Sequence, residues 1–295
     1  MAADQRFADL AQQLKAGLSA AEQALVDAAI AAPVRTGPSY GFEDVGSAAV
    51  AALTALAGIA DPLRRVTAAR AVIASLAAGS VDRIRAQRVP DEVMERSVTW
   101  SDTLYAFLTG DVPADYHFPH DSFMKDYRFV TAMTVPCGAQ VVDLAERMGP
   151  KTILKLATSA PLRAIRAATG PWFRPHTESR YLTEFNEDGW THCYGLMAQL
   201  LERHPSVRGM VATSWFYDPK LAEISPRLNY LRDFPVDNGA VLVAHGTTPF
   251  DIESATSTSP TRRKLYEEGK FTPVCHSVLW FRDEMLAWAR GAGRL

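Results

Sequence analysis

Cysteine is scarce in this chain: Cys137, Cys193 and Cys275 are the only three in 295 residues. An odd number at wide spacing provides no disulfide framework. With no CxxC pair, there is no thiol-redox or zinc-ribbon motif either, and a reducing compartment is the expectation. Excess charge of one sign is also missing. Thirty-one Lys and Arg against 33 Asp and Glu leave a net charge of −2, which offers no electrostatic footprint for DNA, RNA or an anionic membrane. No apolar run reaches 18 residues, and the stretch 48–60 is too short to span a bilayer. The first twenty residues lack the basic-then-apolar layout of a secretory leader. GxSxG, GxxxxGK[ST] and HExxH are absent, which removes the usual hydrolase, P-loop and zincin readings. These absences predict a cytoplasmic protein whose partner is a small-molecule substrate, with no nucleic acid and no membrane.

What the chain does have is globular composition, 47% hydrophobic and 22% charged, at a length suited to one large domain or two ordinary ones. The first 110 residues are Ala-rich with helical spacing. Phe7, Leu10, Leu14 and Leu18 form a stripe that packs within the chain or provides a homodimer seam. Ser19, with Glu22 three residues on, predicts a helix start. Further helices are expected over 45–59, from Asp61-Pro62 onward, and over 91–108 up to Gly110. Residues 111–127 read as a connector with two prolines and no clean period. Runs 128–136 and 138–144 read as strands joined by a turn at Pro136-Cys137-Gly138. Residues 152–169 read as a helix broken at Pro161.

From Trp172 onward the period alternates. Strand-like runs at 173–185, 207–217, 240–248 and 274–281 are separated by helical patterns at 191–203, 225–234 and 261–268. Such alternation predicts a sheet covered by helices. The expected fold class is therefore α+β: a helical domain over residues 1–120, then a mixed-sheet α/β domain over 121–295 that carries the candidate site.

The strand at 176–185, the turn Asn186-Glu187-Asp188-Gly189, the helix from Trp190, and the next strand, helix and strand form an order that resembles the GNAT-like acyltransferase superfamily over residues 125–285. The family's basic-x-x-Gly-x-Gly/Ala signature is absent, and Glu187 and Asp188 stand in the turn. The resemblance implies a strand that splays open and a following helix N-terminus that binds the pyrophosphate of acetyl-CoA or another acyl-CoA. Free amides and the helix dipole favour an anion at such a position. By position, the resemblance implies cofactor binding by the amides of Gly189, Trp190 and Thr191. It implies Tyr230 as the acid toward the leaving thiolate, with Tyr266 as a rival, and Glu178 or His176 as the base that deprotonates an amine.

Two other readings start from the residues themselves. His176 and Glu178, two apart in a predicted strand, would share one face. With His245 they would make the facial metal triad of a non-haem iron, 2-oxoglutarate-type oxygenase, with Arg262 or Arg263 pairing the acidic co-substrate. The other reading is non-catalytic. Trp215, Tyr217 and Asp218 end a predicted strand before Pro219 and form a pocket rim for a flat or amphipathic ligand. The same three residues are the expected substrate contacts under the enzyme readings.

Overall fold

The computed structural model describes residues 2–295, and for residues 2, 3 and 179–181 the backbone alone. The chain is α+β, as expected, and divides into two compact units, Met1–Cys137 and Gly138–Leu295. The division lies beyond the expected boundary near residue 120, because the segment after it packs with the helical unit.

The first unit is built from α1 (Ala2–Ala16), α2 (Ala20–Ala31), α3 (Ser47–Ala57), α4 (Pro62–Ala77), α5 (Ser80–Ala86), α6 (Asp91–Thr109) and α7 (Asp121–Val130), and ends in the short strand β1 (Thr134–Cys137). Local chemistry sets the starts. Ser19 and Glu22 close a reciprocal capping box, and the Asp61 side chain accepts from the Arg64 amide ahead of Pro62 in the first turn. The leucine stripe is used within the chain: α1 lies on α4, with Leu10 and Leu18 buried.

Helix α7 replaces the end of the expected connector, from residue 121, and the start of the expected strand over 128–136, of which residues 134–136 are in β1. Residues 123–130 are all buried, among them Lys125, Asp126 and Arg128. Phe123, Met124, Tyr127 and Val130 recur at helical spacing, a pattern that the prolines just before it obscure. The helix's charges are satisfied internally: Tyr116 donates to Asp126 at 2.9 Å, and Arg128 donates to the Phe42 carbonyl at 3.0 Å.

The second unit holds β2 (Gln140–Glu146), β3 (Trp172–Thr177), β4 (Gly209–Ser214), β5 (Val241–Gly246) and β6 (Cys275–Phe281) in the order β2-β3-β4-β6-β5. Only β3 and β4 run parallel; the other neighbours are antiparallel. The sheet is mixed, as the alternation predicts. The helices are α8 (Pro150–Ser159), α9 (Pro161–Ala168), α10 (Glu187–Arg203), α11 (Leu221–Ile224), α12 (Tyr230–Asp237), α13 (Pro249–Thr256), α14 (Pro260–Glu267) and α15 (Arg282–Gly291). The break at Pro161 falls where the sequence puts it.

Residues paired across a sheet share a face, so the register assigns the two layers. On the first face Trp172, Val211, Val243, Leu279 and Phe281 pack with Leu156 of α8 and Ala164 and Ala167 of α9. On the second, Trp280 meets Tyr194 of α10 at 5.4 Å and Trp288 of α15 at 5.1 Å, and Phe234 of α12 stacks on Tyr194 at 5.7 Å. A smaller core of Trp215, Leu221, Ala255 and Phe271 unites α11, α13 and the segments beyond β4 and α14.

Two strands stop short of their sequence patterns. The run 173–185 leaves the sheet after Thr177 and becomes a 3-10 helix over Ser179–Glu184. The run 207–217 leaves it after Ser214, whose hydroxyl accepts from the Phe216 amide at 3.1 Å and opens a 3-10 turn over Trp215–Tyr217. Aromatic residues continue the β-like composition there while the backbone turns away.

Candidate functional site at the carboxyl ends of the parallel strands

β3 and β4 share one registered pair, Phe173 with Met210. Among the described residues no further pair registers beyond it. In open α/β sheets the crevice outside the carboxyl ends of parallel strands is where ligands are held. α10 links these two strands, and its first turn lies at the same end.

A cavity of about 620 Å³ opens there. It is lined by Leu182, Phe185, Asn186 and Glu187 from the stretch after β3, by Trp215 and Phe216 after β4, and by Arg227, Tyr230 and Arg262. The Arg262 guanidinium lies 4.7 Å over the Trp215 ring and donates to the Ala255 carbonyl at 2.5 Å. Burial, with Arg227 nearby, lowers its pKa from the ordinary guanidinium value. Among the described residues the Tyr230 hydroxyl has no hydrogen-bond partner. Burial first, and the Glu187 carboxylate second, push its pKa up to about 12, against the opposing pull of Arg227.

The first-turn amides of α10 left open are not the ones expected. α10 begins at Glu187, and the side chain of its N-cap, Asn186, accepts from the Gly189 amide at 3.0 Å. The Trp190 amide donates to the Asn186 carbonyl at 3.0 Å, and Thr191 lies one residue deeper in the helix. Gly189, Trp190 and Thr191 are therefore engaged, and the first-turn amides left without helical acceptors are those of Glu187 and Asp188. Gly189 answers to packing instead: a Cβ there would lie 2.0 Å from the Glu184 carbonyl oxygen.

The expected rim is only partly a rim. Trp215 walls the cavity. Tyr217 is buried, which raises its pKa. Asp218 accepts from the amides of Lys220 at 2.9 Å and Val274 at 2.8 Å, so it clamps two segments and its carboxylate is committed to backbone.

On the first face, above the apolar layer, the side chains turn polar. His176 of β3 is half-buried, with Nε2 3.0 Å from Oδ2 of the fully buried Asp143 on β2. Arg174 pairs with Glu146 at 2.7 Å. The ligand-type atoms of Asp143, Glu146 and His176 lie within 4.8 Å of one another, near enough to share a cation. In this arrangement Arg174 and the imidazole already face the two carboxylates. Among the described residues, neither Glu178 nor His245 joins that group. Glu178 is buried one residue past the end of β3, where strand alternation no longer applies. His245 is on β5, beyond β4 and β6. The triad His176, Glu178 and His245 is not assembled.

Across β4, β6 and β5 the same face carries Thr213, Ser277 and His245. Thr213 and Ser277 share a hydrogen bond of 2.7 Å, and Ser277 and His245 Nε2 share another of 2.7 Å. Thr213 is exposed in a central strand, Ser277 is fully buried, and His245 is half-buried. Burial lowers the His245 pKa below the ordinary imidazole value, as do Lys155, His276 and Arg174, with Asp251 opposing. Lys155 of α8 donates to the carbonyls of Ala244 at 2.6 Å and His245 at 2.8 Å.

Sequence reading missed Asp143, Arg227, Thr213 and Ser277. The available signal was a lone polar residue in an otherwise apolar strand face: Ser277 in the series Cys275, Ser277, Leu279, Phe281, and Asp143 between Val141 and Ala145. No helix is long and apolar enough to cross a membrane among the described residues. No family model, no curated protein and no solved structure matches this chain, so a reading of its function rests on the geometry of this site.

Proposed function

We propose that the second unit transfers an acyl group from acyl-CoA to a small nucleophile, an amine in the simplest case, as the GNAT-like order of its elements suggests. One observation carries the reading. The parallel strands β3 and β4, joined through α10, register at a single residue pair, and the cavity lies between the segments that follow the two strands.

The lining fits the co-substrate. Arg227 and Arg262 give two cations for phosphates, the Glu187 and Asp188 amides open a 17-residue helix, and Trp215, Phe216 and Phe185 give apolar wall. Glu187 brings one opposing charge, which Arg227 offsets. Tyr230 takes a different part from the acid first expected. A phenol near 12 does not hand its proton to a thiolate whose conjugate acid ionises near about 8.5. It donates a hydrogen bond to the departing sulfur, which then takes its proton from water. His176, held by Asp143, lies on the β3 side and helps to orient the acceptor.

Calorimetric titration of the full chain with CoA and acetyl-CoA tests the reading. Saturable binding is expected, weakened about tenfold or more in Arg227→Glu, since reversing one phosphate-pairing charge removes on the order of 1.5–3 kcal/mol. No binding by the wild-type chain would sink it. Stabilisation by Fe(II) with 2-oxoglutarate, and none by acetyl-CoA, would move the function to the oxygenase reading.

A further inference from the structure

The hydroxyl pair on the first face has a placement that packing alone does not require. Val211, Leu279 and Val243 occupy the next positions down the same three strands, and a β-branched apolar residue would suit Ser277 equally well. Instead a fully buried serine bridges an exposed threonine and a half-buried histidine through two short bonds. Counting three residues on from the single registered pair, Phe173 with Met210, puts Thr213 level with His176, and Thr213 stands two residues before Trp215, which walls the cavity. One end of the chain of bonds therefore stands exposed at the carboxyl end of β4, beside the cavity wall. The other end stands on the outer strand β5.

We propose that Thr213, Ser277 and His245 form a proton relay that carries the acceptor's proton away from the cavity, with His245 as its terminal proton acceptor. The proposal rests on the acyl-transfer reading and assigns its base to a row different from Glu178 or His176. As the acceptor nitrogen bonds to the acyl carbon, its proton passes to Thr213 Oγ1. The Thr213 hydroxyl proton passes to Ser277 Oγ, and the Ser277 proton passes to His245 Nε2. The carbon–sulfur bond breaks and its electron pair leaves with sulfur as the thiolate. His245, half-exposed, returns the proton to water between turnovers.

The surroundings suit this direction of flow. The groups that face His245 are Lys155 from α8, Arg174 from β3, His276 and Cys275 from β6, and Asp251 from α13. Burial first, then Lys155, His276 and Arg174, lower the His245 pKa against Asp251, which keeps the imidazole neutral and able to accept a proton. Cys275, pushed up to about 12 by burial and by Asp251, adds no charge. Lys155 fixes the β5 backbone at His245 through two carbonyls, so the ring is held where Ser277 meets it.

The test uses the full chain, acetyl-CoA as donor and water as acceptor, read as release of free CoA thiol across the range that brackets imidazole titration. Ser277→Ala should lower kcat about a hundredfold and leave KM for acetyl-CoA within about twofold, because only the proton path is cut. Ser277→Thr, which keeps a hydroxyl, should retain most of the rate. Thr213→Val, at an exposed position, gives a second break in the relay that burial cannot confound. The wild-type acid limb should lie below about 6.5 and vanish in His245→Gln. Unchanged kcat and an unchanged acid limb in both Ser277→Ala and Thr213→Val would overturn the relay while leaving acyl transfer standing. Absence of any turnover would count against the acyl-transfer reading, and the relay is then decided by nitrogen-15 NMR of His-labelled protein. It requires the resting His245 to carry its proton on Nδ1 and to accept at Nε2, and a resting Nε2–H tautomer would overturn it whatever the substrate.

Discussion

One face of the sheet behaves in two ways along its length. At its lower end Trp172, Val211, Leu279 and Phe281 lie under α8 and α9 and are buried. Two residues further along the same strands, the face presents Arg174, Thr213 and Ser277, with His176 and His245 beyond, and Thr213 is open to solvent. The strands are continuous through the change, and Ser277 stays fully buried under the helical cover, but Thr213 on central β4 lies outside it. The lower end holds the layer together, and the upper end carries polar chemistry on a frame that the lower end keeps rigid. Where a sheet face is bare at the centre rather than at its edge, its polar residues are candidates for function, because a central strand left uncovered forgoes burial that the fold could have used.

The comparison implies that truncation should be costly for stability at one end and nearly silent at the other. Leu156, fully buried in α8 against that lower layer, is the strongest probe. Leu156→Ala should lose about 2–5 kcal/mol in denaturant unfolding, from lost transfer energy and the cavity left behind. A loss under about 1 kcal/mol would show that α8 does not hold the face as described.

Asp218 sharpens the comparison because it is polar, near the upper end, and assigned here to structure. Its two oxygens accept from the amides of Lys220 and Val274. Asp218→Ala should cost about 1–3 kcal/mol, since two backbone donors lose their acceptor, while the affinity for CoA stays within about twofold. A selective loss of CoA binding with unchanged stability would return Asp218 to the rim role that its place beside Trp215 and Tyr217 suggests.

The contrast also explains what the sequence discloses. The Ser19 and Asp61 caps, the Pro161 break and the alternation of strands and helices depend on neighbours in the chain, and all are legible in it. Helix α7 is less so: Phe123, Met124, Tyr127 and Val130 do recur at helical spacing, but Pro113 and Pro119 just before them give the segment the look of a connector. Helix α13 hides for another reason: its start is a capping box between Thr248 and Asp251, and its end runs into the polar stretch 254–259, which reads as a loop. The site is legible only in part. Trp215, Tyr230 and the first turn of α10 mark the cavity by their types and positions. The relay does not announce itself, because it unites Thr213, Ser277 and His245 through pairings of β4 with β6 and β6 with β5, and strand order is a tertiary fact. The facial triad failed for the same reason, since β4 and β6 separate His245 from His176.

Thr213→Val is the next smaller effect. The site is exposed, valine has nearly the same shape, and β-propensity does not suffer, so stability should stay within about 0.5 kcal/mol of wild type. A destabilisation beyond about 1 kcal/mol would mean that the Thr213–Ser277 bond is a structural tie, which would blur the division between the two ends.

The smallest effect is the dependence of stability on pH at His245, and its sign is fixed by the direction of the pKa shift. The folded state lowers the imidazole pKa, by burial first and by Lys155, His276 and Arg174 after it. The unfolded chain therefore binds the proton more readily than the folded one. Stability is unaffected well above the ordinary value of about 6.5, falls as pH drops from there toward the lower folded pKa, and levels off below it. His245→Gln, which keeps a polar partner for Ser277 but cannot take a proton, should flatten that part of the curve of unfolding midpoint against pH. The difference is expected to be slight, because the ring is half in solvent and water screens much of the repulsion. A variant curve that falls as steeply as wild type would place the acid sensitivity elsewhere on the sheet.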